Sequence, residues 1–423
     1  MSDKFIIKGG FPLHGEVEIS GSKNAAGPLL AATLLSNKKC TISNLPKISD
    51  VLNLIEVIRI MGAEVKWQGE KTVSICAKNI NPEKIPAGVF EKARMSVLLI
   101  GPLLGRFPRF KIPHPGGDKI GVRPITTHLE GLAGLGAKVK NTGQFYCFER
   151  PNILKGAKIV LKEFSVTATE NVIMAAALAK GKTTIDIAAA EPHVEELGNF
   201  LAKMGIKISG QGTHRIEIEG NQRLSTGANW TIPPDYIEAG TFLIAFAVTN
   251  SQGKIKNVRP NDLVFFLDKI KEIGINFKIQ GKNIIIAKSK ELKATKVQVL
   301  PHPGFPTDLQ PQTCLLLTQC LGKSLVHDPL YENRFSHLYE LRKMGADIEI
   351  TDPHRALIFG KSNLLGTKVD GTDIRSTVTL ILAGLIAKGE TLVSGAEQVD
   401  RGYENIEQKL QKLGAKIKRI KEN

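Results

Sequence analysis

Ionisable residues stand at the head of segments that are otherwise apolar. Lys23-Asn24, Arg94, Asp308, and Asp373 with Arg375 each precede a stretch that reads as a helix without a polar face. The first turn of a helix exposes unpaired N–H groups and the positive end of the helix dipole, so it favours anions. Asn24, Asp308 and Asp373 suit that place as caps. Lys23, Arg94 and Arg375 do not, because a cation there opposes the dipole, and their placement calls for an anionic ligand held among them. Two other segments are dense in chemistry. Pro113-His114-Pro115-Gly116-Gly117-Asp118-Lys119-Ile120-Gly121-Val122-Arg123-Pro124 joins rigid prolines and a Gly-Gly pair to one acid and two cations, as a ligand-covering loop would; read structurally it is an Ω-loop. Asp400-Arg401-Gly402-Tyr403-Glu404 lies just before the last helical stretch, with Asp400 placed to cap it.

The elements that must position these groups repeat along the chain. A helical pattern ending in an apolar residue, then Gly, then a short strand recurs at Gly62, Gly136, Gly205, Gly274, Gly345 and Gly414, with intervals of 69 to 74 residues. One such Gly is only a helix C-cap; six in near-register are a repeat. Each unit also contains a helix apolar on all sides: Ala25 to Leu35, Ser96 to Leu104, Val172 to Ala179, Thr241 to Val248, Thr313 to Leu321 and Val378 to Ala387. Such helices must be buried. One buried helix, one amphipathic helix and several strands per unit predict layers in which sheets lie between inner and outer helices, the inverse of a strand-cored barrel. Six units divide as three plus three, with the interruption at Trp230-Thr231-Ile232-Pro233-Pro234-Asp235, where Pro-Pro continues neither ladder nor helix.

Composition narrows the class. A chain of 423 residues with 42% hydrophobic and 23% charged residues is long enough for two or three folded domains. Its apolar runs are too short to span a bilayer, and no apolar signal segment opens it, which predicts a cytoplasmic protein without membrane attachment. Lys and Arg exceed Asp and Glu by 16, as an anionic partner would require, but the lysines are scattered and aromatics reach only 6%, so stacking platforms for nucleic-acid bases are not evident. The five cysteines, Cys40, Cys76, Cys147, Cys314 and Cys320, show no metal-ligand spacing and read as small buried hydrophobes. P-loop, GxGxxG, HExxH and GxSxG patterns are all lacking, so no cofactor and no metal is expected.

Six collinear phrases carry a close resemblance over essentially the whole chain. Gly21-Ser22-Lys23-Asn24-Ala25-Ala26, Pro115-Gly116-Gly117 with Ile120-Gly121 and Arg123-Pro124, Pro303-Gly304-Phe305-Pro306-Thr307-Asp308-Leu309-Gln310, Glu332-Asn333-Arg334-Phe335, Thr372-Asp373-Ile374-Arg375 and Asp400-Arg401-Gly402-Tyr403-Glu404 resemble the UDP-N-acetylglucosamine 1-carboxyvinyltransferase family. The resemblance implies an α/β protein of two inverse (inside-out) barrel domains with three repeats each. They would comprise residues 22–232 with a mobile loop at 113–124, and residues 1–21 plus 233–423, with the active site between them. It implies a first step of peptidoglycan synthesis, in which the sugar 3′-hydroxyl adds to C2 of phosphoenolpyruvate and phosphate leaves. By the same resemblance Lys23, Arg123 and Arg401 hold the phosphate, Arg334 and Arg375 the carboxylate, and Asp308 accepts the hydroxyl proton. Asn24, Arg94, Arg123, Pro124, Ile125, Ser165, Val166 and Asp308 line the sugar-nucleotide side, with Lys47, Glu191 and Asp373 in support. Asp118, where the family commonly has Cys, would protonate the enol carbon. Other departures are Thr126 and Thr127 for Asp and Leu, Glu163 for Lys, and Thr167 for Gly. The alternatives are an enzyme acting on shikimate 3-phosphate, and a non-catalytic basic relative that binds nucleotide or RNA.

Overall fold

A computed structural model describes residues 3–92, 94–117, 120–222, 224 and 226–421; Asp118 and Lys119 lie outside the described residues. All six repeat glycines have left-handed backbone, φ between 96° and 103°, immediately after helices that include Ser49–Ile60, Val264–Ile273 and Ser336–Lys343. A side chain at these points would meet its own backbone, and only glycine adopts that conformation at little cost.

The apolar helices are buried as their composition requires. Every residue of Tyr236–Val248 and of Gln310–Leu317 is buried, as are all but the last of Ile374–Ile386. Their few hydroxyls cost little because they turn back on the helix: Thr241, Thr313 and Thr379 each donate to the carbonyl four residues earlier, at 2.7–2.8 Å. The Ser96 to Leu104 segment differs from expectation, opening as a 3₁₀ stretch, Arg94–Leu99, before the α-helix Ile100–Arg106. Close helix approach explains one glycine here. Gly101 packs so tightly on Asn171 that a Cβ would strike its backbone, and its N–H donates to the Asn171 side chain at 2.7 Å.

The chain divides into two compact units. The N-terminal unit comprises residues 21–117 and 123–233, and the C-terminal unit residues 1–20, 118–122 and 234–423. Each has its own core and three small sheets, all mixed except one antiparallel sheet in the N-terminal unit. The all-apolar helices are inside, while amphipathic helices such as Val264–Ile273 and Ser336–Lys343 keep one face exposed; the strands remain in separate sheets and do not close into a cylinder. In the N-terminal unit two sheets are built on Lys39–Ser43 and Gly181–Asp186, each flanked by an antiparallel partner and one parallel edge strand; the third, Arg109–Pro113 with Phe145–Glu149 and Lys138–Asn141, has three strands. The C-terminal unit takes in the start of the chain. Lys4–Lys8 lies antiparallel between Glu390–Ser394 and Lys416–Ile420, and Glu16–Glu18 runs parallel to Gly253–Lys256.

Two expectations are corrected. Trp230 and Thr231 do not interrupt the pattern but belong to strand Asn229–Thr231, parallel to Lys39–Ser43; both are good strand formers, and only Pro233-Pro234 breaks the ladder. Cys40, Cys314 and Cys320 are buried, their thiols pushed up by loss of hydration (Cys320 to about 12), whereas Cys76 and Cys147 are only partly covered. Among the described residues no helix is long and apolar enough to cross a membrane.

Candidate active site

Lys23 opens the helix Lys23–Ala32, yet the cap is Ser22, whose hydroxyl accepts from Ala25 N at 3.3 Å. Asn24 is therefore not the cap. The Lys23 ammonium lies 2.8 Å from the buried carboxylate of Asp50, in the first turn of Ser49–Ile60, which offsets a cation that would otherwise oppose the dipole. Lys47 lies just ahead of that helix. Arg94 heads its 3₁₀ stretch with Nη2 donating to the Pro124 carbonyl at 3.2 Å. Gly117 lies against both the Arg94 side chain and Arg123 Nη1, so the two guanidinium-bearing residues flank the base of the Gly-Gly loop. Ile125 and Ser165 occupy the cap positions of helices Thr126–Gly134 and Val166–Ala176, and neither makes a side-chain capping bond. Glu191 has the same position before Pro192–Lys203. Beside it Glu170 is fully buried, its carboxyl held well above the usual range by burial and then by the Glu191 charge.

Thr127, Glu163 and Thr167 each have a side-chain partner in this unit. The Thr127 hydroxyl donates to Glu163 Oε1 at 2.8 Å, and His128 Nε2 shares a hydrogen bond with Thr167 Oγ1 at 2.8 Å. His128 is buried and kept neutral, its pKa lowered to about 3 by burial and then by the charges of Arg94 and Arg123.

The C-terminal unit centres on Asp308, in the 3₁₀ turn Thr307–Leu309. Asp308 caps no helix. Its Oδ1 receives Arg334 Nη2 and its Oδ2 receives Arg375 Nη2, both at 2.8 Å, and it is 30% exposed while both arginines are almost wholly buried. Burial opposes the charge on Arg334, but the carboxylates of Asp308, Asp373 and Asp328 outweigh it. For Arg375 the same contest is won by Asp308, Tyr403 and Asp235. Arg375 follows Asp373, which is the N-cap expected of it, accepting from Arg375 N and Ser376 N in a capping box. The Arg375 guanidinium lies 5.3 Å from the centre of the Tyr403 ring, whose hydroxyl is fixed by Thr241 and Gln312. Arg401 donates to Gln398 at 2.9 Å. Asp400 does not cap the last helix, whose N-cap is Asn405; it is the C-cap of Ala396–Val399 and binds Arg419 through both oxygens.

Sequence reasoning missed Asp50, for which no motif signals, and the roles of Glu332 and Asn333. Glu332 Oε1 accepts from Val122 N at 2.6 Å and Asn333 N donates to the Ile120 carbonyl at 3.2 Å, so this motif anchors residues 120–122. Among the described residues no three His, Cys, Asp or Glu side chains are grouped to hold a metal ion.

One buried group predicts acid sensitivity. His337 is fully inaccessible, with its pKa lowered to about 3 by burial and then by the Arg334 charge. The unfolded chain therefore binds a proton between about pH 6.5 and 3 that the fold refuses, and stability complete above that window is lost as pH falls through it. At about 1.4 kcal/mol per pH unit, roughly 2 kcal/mol is lost by pH 5. His337→Gln should show a smaller drop in urea midpoint between pH 7 and pH 5; an equal drop would assign the sensitivity to other groups.

A carboxylate shared by two buried arginines thus lies in a chain of two three-sheet units, and relatives of this chain identify its class. The sequence model of EPSP synthase (3-phosphoshikimate 1-carboxyvinyltransferase) matches residues 7–410. The fold is shared with the enolpyruvyl transferase NikO from Streptomyces tendae (TM-score 0.90, 22% identity, all of both chains) and with EPSP synthase from Acinetobacter baumannii (TM-score 0.74, 19% identity, 99% of this chain and all of that one). Within this superfamily the chain belongs to the UDP-N-acetylglucosamine 1-carboxyvinyltransferase family. It is 43% identical to the relative of that name in Coxiella burnetii over 99% of this chain and 96% of the relative, and 43% identical to that of Helicobacter pylori over 98% and 99%. A Clostridium acetobutylicum relative, UDP-N-acetylglucosamine 1-carboxyvinyltransferase 1, is 44% identical over 99% of this chain and its own full length.

Proposed function

We propose that this protein transfers the enolpyruvyl group of phosphoenolpyruvate to the 3′-hydroxyl of UDP-N-acetylglucosamine and releases phosphate. The observation that carries it is Asp308 held between Arg334 and Arg375. A carboxylate pinned by two buried cations is held in one orientation, as a base that takes a hydroxyl proton must be. The arginines present donors to an incoming carboxylate, which suits phosphoenolpyruvate. The hydroxyl oxygen bonds to C2 as its proton passes to Asp308, and the enol carbon takes a proton from Asp118. Loss of a proton from that carbon and of phosphate from C2 then restores the double bond. Lys23, Arg123 and Arg401 hold the phosphate. Asn24, Arg94, Arg123, Pro124, Ile125, Ser165, Val166 and Asp308 receive the nucleotide sugar, with Lys47, Glu191 and Asp373 supporting the charges. Both substrates are soluble phosphorylated metabolites, which suits a cytoplasmic enzyme supplying wall precursors for cell shape and division. Asp118 in place of the alkylatable thiol suits resistance to fosfomycin.

Purified protein given both substrates and no added metal should release inorganic phosphate, with shikimate 3-phosphate as the inactive control acceptor. Phosphate released only with shikimate 3-phosphate would reassign the acceptor, and none with either would leave a binding protein. Arg401→Ala should lower kcat/KM by about 30-fold or more, the loss of one charged hydrogen bond of about 2 kcal/mol; a change below threefold would remove Arg401 from the phosphate site.

A further inference from the structure

Asp328 belongs to none of the motifs that point to the site. It follows the strand Gly322–His327, 20 residues after Asp308, and is completely buried. An ionised carboxylate is costly to bury, and a residue needed there for packing alone would be apolar. Both of its oxygens are engaged. Oδ1 accepts from Leu330 N at 3.0 Å, a local turn that any Asp in this place could make. Oδ2 reaches outside the turn and accepts the Thr307 hydroxyl at 2.7 Å. The backbone on the other side is fastened too: Asp328 N donates to the His354 carbonyl and the Asp328 carbonyl is bonded to His354 Nδ1, both at 2.8 Å.

Thr307 is the residue before Asp308. Its carbonyl accepts Arg334 Nη2 at 3.1 Å, and the same nitrogen donates to Asp308 Oδ1 at 2.8 Å. Arg334 is thus seated on two acceptors of adjacent residues, and the first of those residues is tied through its side chain to Asp328. The Asp328 charge also faces Arg334, whose guanidinium it helps to keep protonated.

We propose that Asp328 is a positioning residue for the transfer reaction: through the Thr307 hydroxyl it fixes the turn that aims Asp308 and seats Arg334. The inference rests on the reading of Asp308 as the base. Asp328 touches no substrate; it sets where the Asp308 carboxylate stands. An error of about 1 Å in such a group costs on the order of a hundredfold in rate.

The test compares phosphate release by the full-length wild type with that of Asp328→Asn, Thr307→Val, Thr307→Ser, the Asp328→Asn/Thr307→Val double variant and Asp308→Asn, each well below its thermal midpoint. Asp328→Asn and Thr307→Val should each lower kcat by roughly ten- to a hundredfold. Thr307→Ser, which keeps the hydroxyl, should stay within about threefold of wild type. Because both substitutions remove one contact, the double variant should be no slower than the slower single one, within about twofold. A purely structural carboxylate would instead lower the thermal midpoint and leave the kcat of the folded fraction alone. Turnover within threefold of wild type for Asp328→Asn or Thr307→Val, or multiplied losses in the double variant, would overturn the proposal while an inactive Asp308→Asn kept the base assignment intact. An active Asp308→Asn would overturn both. Where Asp328→Asn does not fold, the Thr307 pair still decides.

Discussion

Asp308→Asn should turn over about 10²- to 10⁴-fold more slowly than wild type, the range expected when a positioned base is lost, yet bind phosphoenolpyruvate as tightly or more tightly. The two halves of this result have one cause. The Asp308 carboxylate occupies one nitrogen of each of two buried guanidiniums at 2.8 Å. Replacing it with a neutral amide removes the proton acceptor and also removes the competitor for those donors, and it relieves repulsion toward a trianion. Steady-state kinetics with a direct binding titration would separate the two effects. Turnover within tenfold of wild type would exclude Asp308 as the base, and binding weakened in step with turnover would mean that it holds substrate instead. The variant should also unfold more readily, because two buried cations lose their shared counter-ion.

The wild-type protein should carry no adduct after prolonged exposure to fosfomycin, and Asp118→Cys should acquire one. A carboxylate is a far poorer nucleophile toward an epoxide than a thiolate, so the expected change is from none to complete modification, read by mass spectrometry. The substitution alters proton donation as well. An aspartic acid with a reference pKa of about 3.9 is mostly ionised at neutral pH, whereas a thiol at about 8.5 is mostly protonated. The donating form exists below the group's pKa in the enzyme and disappears as pH rises through it, so wild-type activity should decline toward alkaline pH before that of Asp118→Cys. An adduct on the wild type, or one alkaline limb common to both proteins, would remove Asp118 from the proposed role.

Local chemistry made the repeat legible. A glycine that ends a helix does so through its own backbone, and an all-apolar helix can only be buried, so six of each could be read without knowing any partner. Polar partnerships were less accessible because they join residues far apart in the chain. Asp308 and Asn24 both look like caps in sequence. Asp308 is instead claimed by Arg334 and Arg375, 26 and 67 residues away, and Asn24 is pre-empted by Ser22. Asp400 is drawn off by Arg419. Thr127, Glu163 and Thr167 read as unrelated positions in sequence, yet Thr127 bonds Glu163 and Thr167 bonds His128, the neighbour of Thr127. The assignment of individual cations to phosphate or carboxylate came from resemblance alone, since spacing along the chain does not distinguish two anions.

The placement of Lys4–Lys8 between Glu390–Ser394 and Lys416–Ile420 bears on how the molecule is made. A ribosome delivers this strand long before either of its neighbours. Residues 21–117 and 123–233 can settle their core while synthesis continues, but the sheet holding Lys4–Lys8 cannot assemble until the final strand emerges. At about 5–20 residues per second, that leaves a β-forming segment unpaired for roughly 20 seconds to over a minute. Its Lys4 and Lys8, flanking Phe5-Ile6-Ile7, put charge at both ends of the stretch most able to pair with a stranger during that wait.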